Sequence, residues 1–339
     1  MKRSLTFCLI STLLAIAFSA CEAEFSPNAE WKEIPVVYCL LDQDDDTTWV
    51  RVERCFLGEG DMHDYGTISD SINYPVGSIR VVLYALYDGV RVDSLVCRDT
   101  LVDRSGGQFA YVAQPLYFTT DSLREDRSYE LVVSRTATGQ TLAYTDPVSL
   151  IGWYDAEGAS PITKPTYTQG FGFYERSGSI PVCKINWHRL SNARLYQPVV
   201  RFYYGEQGDT HYVDLRCSSV SATSNSSSQL SIDYSLWSFL SELETLLRDD
   251  TLPKAYLYKA DIFLTACTED LNVYLNSLNI TTDIDQGREA YTNIHNGIGI
   301  FAARRTHLCK RLAADDSMNP LGTPAPGLLA YLKSRNIGF

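Results

Sequence analysis

Ile34-Pro35-Val36-Val37-Tyr38-Cys39-Leu40-Leu41 runs into Asp42-Gln43-Asp44-Asp45-Asp46 and then into Trp49-Val50-Arg51-Val52-Glu53-Arg54-Cys55-Phe56. The first segment is an apolar run and the third alternates apolar with polar residues, as a half-buried strand does. The acidic segment between them is a turn, so the three together predict a β-hairpin.

Outward from that hairpin the pattern repeats. After a polar stretch from Gly58 to Tyr74, strand-like segments run over Ser78–Leu86, Val90–Cys97, Tyr129–Ser134 and Thr141–Leu150, parted by Gly or Asp turns. Strands at this spacing with few helical patterns between them predict a β-sandwich. Residues 152–176 are rich in Gly, Pro, Thr and Tyr and have no clear period, which places a domain boundary there. Beyond it, Pro181–Trp187, Tyr196–Tyr204 and His211–Arg216 are strand-like, and a Ser-rich loop spans 218–228. Leu236, Leu240, Leu243 and Leu247 recur at helical spacing and predict a helix from about Tyr234 to Asp249. Ala255–Ala266 is the next expected strand. Thr268-Glu269-Asp270 then caps a helix whose Leu271, Tyr274, Leu275 and Leu278 share a face. Ile298–Ala303 is a last apolar strand, and Pro326–Arg335 has the pattern of a closing helix. The expected architecture is mainly β in two domains: a sandwich over 31–151, a linker over 152–176, and a β-rich domain with two or three helical insertions over 177–339.

Composition agrees. The 339 residues, 45% of them apolar, suffice for the cores of roughly two domains at the usual ~150 residues each. Usage of 22 Tyr and 13 Phe against 3 Met is that of a β-rich extracytoplasmic protein. The net charge of −12, two units more negative without Lys2 and Arg3, disfavours nucleic acid or any other polyanion as partner.

Lys2 and Arg3 precede an apolar run, Leu5–Phe18, too short for the ~20 residues of a spanning helix and right for a signal-peptide core. Phe18-Ser19-Ala20-Cys21 resembles the lipobox of bacterial lipoproteins, with Phe18 where an aliphatic residue is usual. Residues 1–20 are then the signal peptide, Cys21 the lipidation site and 21–30 a tether. Several acyl chains on one cysteine make attachment effectively permanent, since each buried CH₂ adds about 0.8 kcal/mol. Glu22 and Glu24 resemble a short form of the acidic signal that exports Bacteroidota lipoproteins to the cell surface. Beyond Cys21, Cys39, Cys55, Cys97, Cys183, Cys217, Cys267 and Cys309 form no C-x-x-C pair, so the zinc and thioredoxin signals are missing. Cys39, Cys55, Cys183 and Cys267 sit in strand-like runs as small core hydrophobes, and the set leaves room for one or two disulfides of undetermined pairing.

Three stretches together carry a resemblance: Pro35–Asp42 (PVVYCLLD); Phe56–Gly60 (FLGEG) with Asp70–Tyr74 (DSINY); and Tyr291–Ala303 (YTNIHNGIGIFAA). Over about residues 30–305 the chain resembles a family of Bacteroidota outer-membrane lipoproteins of unknown function, often encoded beside TonB-dependent receptors. The resemblance implies outer-membrane attachment, an immunoglobulin-like N-terminal domain and no assigned activity. None of the three stretches is a catalytic motif. Asn296-Gly297 is a turn dipeptide feeding the last strand, and Gly299 within it implies a bulge or a close approach of backbone.

Candidate chemistry is sparse. Asp42, Asp44, Asp46 and Glu53 mimic the spacing of a calcium loop, but Thr47 replaces the required Gly and a strand replaces the exiting helix, so a hairpin turn is expected and no metal site. The five histidines (His63, His188, His211, His295, His307) never pair at metal spacing, and no G-x-S-x-G or G-x-G-x-x-G is present; neither an enzyme nor a cofactor is expected. Tyr167, Phe171, Phe173 and Tyr174 beside Gly170 and Gly172 read either as core or inter-domain packing or as an aromatic platform for sugar or peptide. Asp followed by Ser or Thr and then an aliphatic residue, Met or Thr resembles a Bacteroidota O-glycosylation sequon. It occurs at Thr47, Ser71, Ser94, Thr100, Ser122, Thr251 and Ser317, where good turn chemistry explains it equally. The expected function is a non-catalytic, ligand-binding accessory to a TonB-dependent transporter. The alternatives are a fimbrial or adhesin subunit and, behind it, a surface hydrolase.

Overall fold

The computed structural model describes residues 32–55, 62–103, 113–152, 182–206, 209–223, 228–235, 255–278, 291–313 and 337–338. These are mainly β. The hairpin that opens the chain is formed by β1 (Pro35–Leu41) and β2 (Thr48–Arg54), antiparallel with Val37 opposite Val52 and Cys39 opposite Val50. The polar stretch that follows holds two short helices, α1 (Met62–Gly66) and α2 (Ser69–Ile72). Next come β3 (Ile79–Tyr87), β4 (Val90–Val96), β5 (Arg98–Val102), β6 (Gln114–Thr119), β7 (Ser128–Arg135), β8 (Thr141–Thr145) and β9 (Val148–Ser149).

The rest of the chain supplies β10 (Val182–His188), β11 (Leu195–Glu206), β12 (Asp209–Arg216), β13 (Val220–Ser221), β14 (Gln229–Ser235) and β15 (Ala255–Cys267). Helix α3 (Glu269–Leu278) follows, then β16 (Ile294–His295), β17 (Ile298–Ala313) and β18 (Ile337–Gly338). The expected helix over 234–249 does not include its first two residues, because Tyr234 and Ser235 still pair with β10 as the end of β14. The remainder of that helix, and the one over Pro326–Arg335, lie outside the described residues. The Ser-rich loop contains β13, which pairs with Leu195 and Tyr196 of β11.

Among the described residues three sheets result. A ten-stranded sheet runs β12-β11-β15-β17-β1-β2-β6-β5, with β13 and β18 attached beside that path. A six-stranded sheet runs β16-β8-β7-β3-β4 with β9 on β7, and β10-β14 form a third. Strand β17 joins the two ends of the chain. Its first six residues pair in parallel with β1, Gly299 opposite Val37 and Phe301 opposite Cys39, and from Arg304 onward it pairs antiparallel with β15. β16 immediately before it pairs with β8 in the six-stranded sheet, so the Asn296-Gly297 turn steps the chain from one sheet to the other. Asn296 there has φ +59°, the left-handed conformation that Asn tolerates.

One continuous core lies beneath all three sheets. It holds Val37, Val52, Leu83, Leu131 and Phe301 from the first part and Trp187, Tyr196, Phe202, Val213 and Leu264 from the second. On the other face of β17, Ile300 and Ala302 meet Leu271 and Tyr274 of α3. Burial on both faces explains why β17 opens as the unbroken apolar run IGIFAA.

Two tyrosines pin corners by the same device. Tyr129 Oη accepts the Arg124 N–H at 2.7 Å, and Tyr196 Oη accepts the Leu190 N–H at 2.9 Å. A tyrosine hydroxyl turned back on the backbone a few residues upstream is a recurrent feature of Greek-key sandwiches. Trp187, fully buried, packs against Tyr196 with ring centroids 5.9 Å apart.

Candidate functional site

A cleft of about 280 Å³ opens where α3, the segment 291–295 and the β8–β9 turn meet. Its floor is positioned by side chain-to-backbone pairing. Asn293 Nδ2 donates to the Phe301 carbonyl at 2.7 Å, and its Oδ1 accepts the Phe301 N–H at 2.9 Å. An amide side chain thus replaces a strand's hydrogen bonds and holds Tyr291–His295 alongside β17. Thr268 makes a parallel join beside it, donating its N–H to the Ala303 carbonyl and accepting the Ala303 N–H on Oγ1.

Asp270 comes from the first turn of α3, the position where the helix dipole favours an acid. Its Oδ1 accepts the Tyr291 hydroxyl at 2.6 Å. Burial, and then that hydrogen bond, raises the Tyr291 pKa, so the phenol remains an O–H donor at neutral pH. Across the cleft, Asp146 Oδ2 lies 3.1 Å from His295 Nε2, and the His295 ring stacks on Tyr144 at 4.6 Å and 17°. Pro147, Val148 and Ile294 supply the apolar wall.

The Ser277 and Thr292 hydroxyls beside the cleft are in use by the backbone. Ser277 Oγ donates to the Tyr274 carbonyl and accepts the Tyr291 N–H, and Thr292 Oγ1 accepts the Ile294 N–H. The arrangement offers carboxylates, a phenol, an imidazole and an apolar wall, which suits binding a small polar group.

The acidic hairpin turn is built into the fold. Asp44 takes a bidentate pair from Arg305 (2.7 and 3.0 Å), whose third nitrogen reaches Glu125 at 3.2 Å and the Ile151 carbonyl at 3.3 Å. Arg305 continues the inward row of Phe301 and Ala303 along β17, which is why it meets this junction. Asp42 is buried; its Oδ1 accepts the Asp44 N–H at 3.1 Å, and burial pushes its pKa up to about 6. Among the described residues no group of three or more His, Cys, Asp or Glu side chains is placed to hold a metal ion.

Cys21 and the aromatic cluster Tyr167, Phe171, Phe173 and Tyr174 lie outside the described residues, as do Thr251 and Ser317. Of the other triplet positions, Ser94 is exposed on β4 and Ser122 exposed in a loop, while Thr47, Ser71 and Thr100 are half-buried. Cys39, Cys97, Cys217 and Cys267 are buried free thiols and Cys55 a half-buried one. Sequence reasoning did not single out Asp146, Asp270, Tyr291 or His295 as a set. The usable signal was a polar run, Tyr291–Asn296, set against the most apolar strand of the chain. Neither a protein-family model nor a curated protein matches this chain.

Proposed function

We propose that the chain is a non-catalytic lipoprotein, anchored in the outer membrane through Cys21 and displayed at the cell surface, that binds a small ligand as accessory to a TonB-dependent transporter. One observation carries this reading: Tyr291–His295, part of the stretch that resembles the outer-membrane lipoproteins, lines the cleft and contributes its tyrosine and imidazole. The engagement of Ser277 and Thr292 by backbone groups favours binding over turnover.

The same reading takes β1-β2-β6-β5 over β8-β7-β3-β4 as an immunoglobulin-like sandwich. The region after 176 is a second β domain that shares β17 with it. The two tyrosine corners, one in each region, support this division. Among the described O-glycan positions, exposed Ser94 and Ser122 are the best presented. A fimbrial subunit would have to surrender a strand for exchange. β1 pairs with β2 on one side and β17 on the other, so giving it up breaks two ladders.

The test is a mild-detergent pull-down of the tagged, lipidated protein from its native membrane, followed by mass spectrometry. Recovery of a TonB-dependent receptor at comparable stoichiometry is expected. A ladder of the chain's own oligomers with no receptor would overturn the reading in favour of a fimbrial subunit.

A further inference from the structure

We infer that the cleft beside Tyr291 and His295 receives the cationic end of a small organic ligand, an ammonium or guanidinium group on a short alkyl stem. The inference rests on the reading of the chain as a ligand-binding protein and names the class of ligand.

Size comes first. About 280 Å³ lies just below the usual range of roughly 300–1,000 Å³ for small-molecule sites, so the cleft holds one terminal group of a ligand. Charge comes next. Among the described residues the lining contains two carboxylates and neither Lys nor Arg, in a chain of net charge −12, which sets the cleft against anions.

The carboxylates are also pre-set. Tyr291 occupies one oxygen of Asp270, and His295 occupies one oxygen of Asp146. The other oxygen of each has no hydrogen bond among the described residues. Two acceptors lining one half-open cleft match a group with several N–H donors, which ammonium and guanidinium are. Pro147 and Val148 supply an apolar surface for the stem. The Asn293–Phe301 pairing holds this geometry before any ligand arrives, and preorganisation lowers the cost of binding.

Calorimetric titration of the full mature chain with n-butylguanidinium, n-butylammonium, butyrate and 1-butanol tests the inference. Both cations bind, and butyrate and butanol do not. Asp270→Asn weakens the cations about tenfold, the worth of one charge-assisted hydrogen bond. Asp146→Asn, on an exposed turn away from the helix, does the same and guards against a folding defect in the first variant. Asp93→Asn, a distant acid on β4, leaves affinity within about twofold. The inference falls if butanol or butyrate binds as well as the cations. It falls if neither cation binds, if both Asn variants melt and bind as the parent does, or if calcium chloride displaces the cations and binds more tightly. Cation binding without receptor recovery would sink the transporter role and leave the cleft chemistry standing. Receptor recovery with a neutral ligand in the cleft would do the reverse.

Discussion

The carbonyl oxygen of Val37 stands 1.9 Å from the point where a Cβ on Gly299 would lie, and Gly299 holds φ +119° opposite Val37 in the parallel β1–β17 ladder. Only glycine fits, by contact and by backbone conformation at once. Gly299→Ala forces β17 away from β1 where both ends of the chain share a sheet, and the expected cost is about 2–4 kcal/mol in urea unfolding. Gly139→Ala is the control: φ is +71° with nothing within 4 Å, so strain alone costs about 1 kcal/mol. Equal costs at the two positions would mean that contact with Val37 is not what selects glycine.

Asn293 is the second joint of that strand. Asn293→Ala leaves the N–H and the carbonyl of Phe301 without the side-chain partners that satisfy them, at a cost of about 2–3 kcal/mol. Asn293→Asp keeps the acceptor for the N–H and sets an anion against the carbonyl, so it recovers little. Hydrogen–deuterium exchange localises the effect: the Phe301 amide should lose protection in Asn293→Ala while Leu131, in the six-stranded sheet, keeps its own. Unchanged protection at Phe301 would remove the assigned role.

What could be read from the chain alone followed from period and turn chemistry. The apolar run and the alternating segment after it form the expected hairpin, with Val37, Cys39 and Leu41 inward on β1, and Asn296-Gly297 makes the expected turn before β17. Gly299 is the expected close approach. The extension of β17 to Ala313 was hidden because Arg304, Arg305 and His307 break the apolar pattern. Arg305 points inward to meet Asp44, and its partners are 261, 180 and 154 residues away. Strands β5 and β6 were hidden by short, weakly alternating segments. The cleft was illegible for the same reason as the ion pairs: Asp146 and His295 are 149 residues apart and meet only because β16 pairs with β8.

Asp42 gives the fold a pH dependence of definite sign. Burial, opposed by the Asp44 N–H and augmented by Asp45 and Asp44, holds its pKa at about 6 against 3.8 in the unfolded chain. Between those values the folded state binds more protons, so this residue's contribution to stability is largest below pH ~4 and is lost as pH rises through ~6. The loss is at most about 3 kcal/mol. Asn keeps the acceptor for the Asp44 N–H and cannot ionise. Thermal melts from pH 4 to pH 7 should therefore show Asp42→Asn gaining on the parent by about 1–3 kcal/mol, with the difference appearing between pH 4 and 6. Parallel pH profiles for the two proteins would contradict the assignment.

Arg304 and Arg305 are neighbours with opposite expectations. The Arg304 side chain is 46% exposed and reaches Asp42 and Asp45 only at 3.9 Å, whereas that of Arg305 is 11% exposed and bonded to Asp44, Glu125 and the Ile151 carbonyl. At that distance, with the guanidinium itself in solvent, neither pair contributes much, so Arg304→Met should cost less than about 0.5 kcal/mol. Arg305→Met removes a cation from three acceptors at a junction where Leu150 and Ile151 are fully buried, and about 2–4 kcal/mol is expected. A double-mutant cycle separates the parts: coupling to Asp44→Asn of about 1–2 kcal/mol, and to Glu125→Gln, whose side chain is half exposed, of less than about 1 kcal/mol. Added salt should erode the second coupling and spare the first, because buried charge pairs are screened less. Trp49 on β2 and Trp187 on β10 report on two different sheets, so single-Trp versions of Arg305→Met can show whether the sheets still unfold together. Coincident transitions with unchanged midpoints would show that Arg305 does not tie the acidic turn to the rest of the fold.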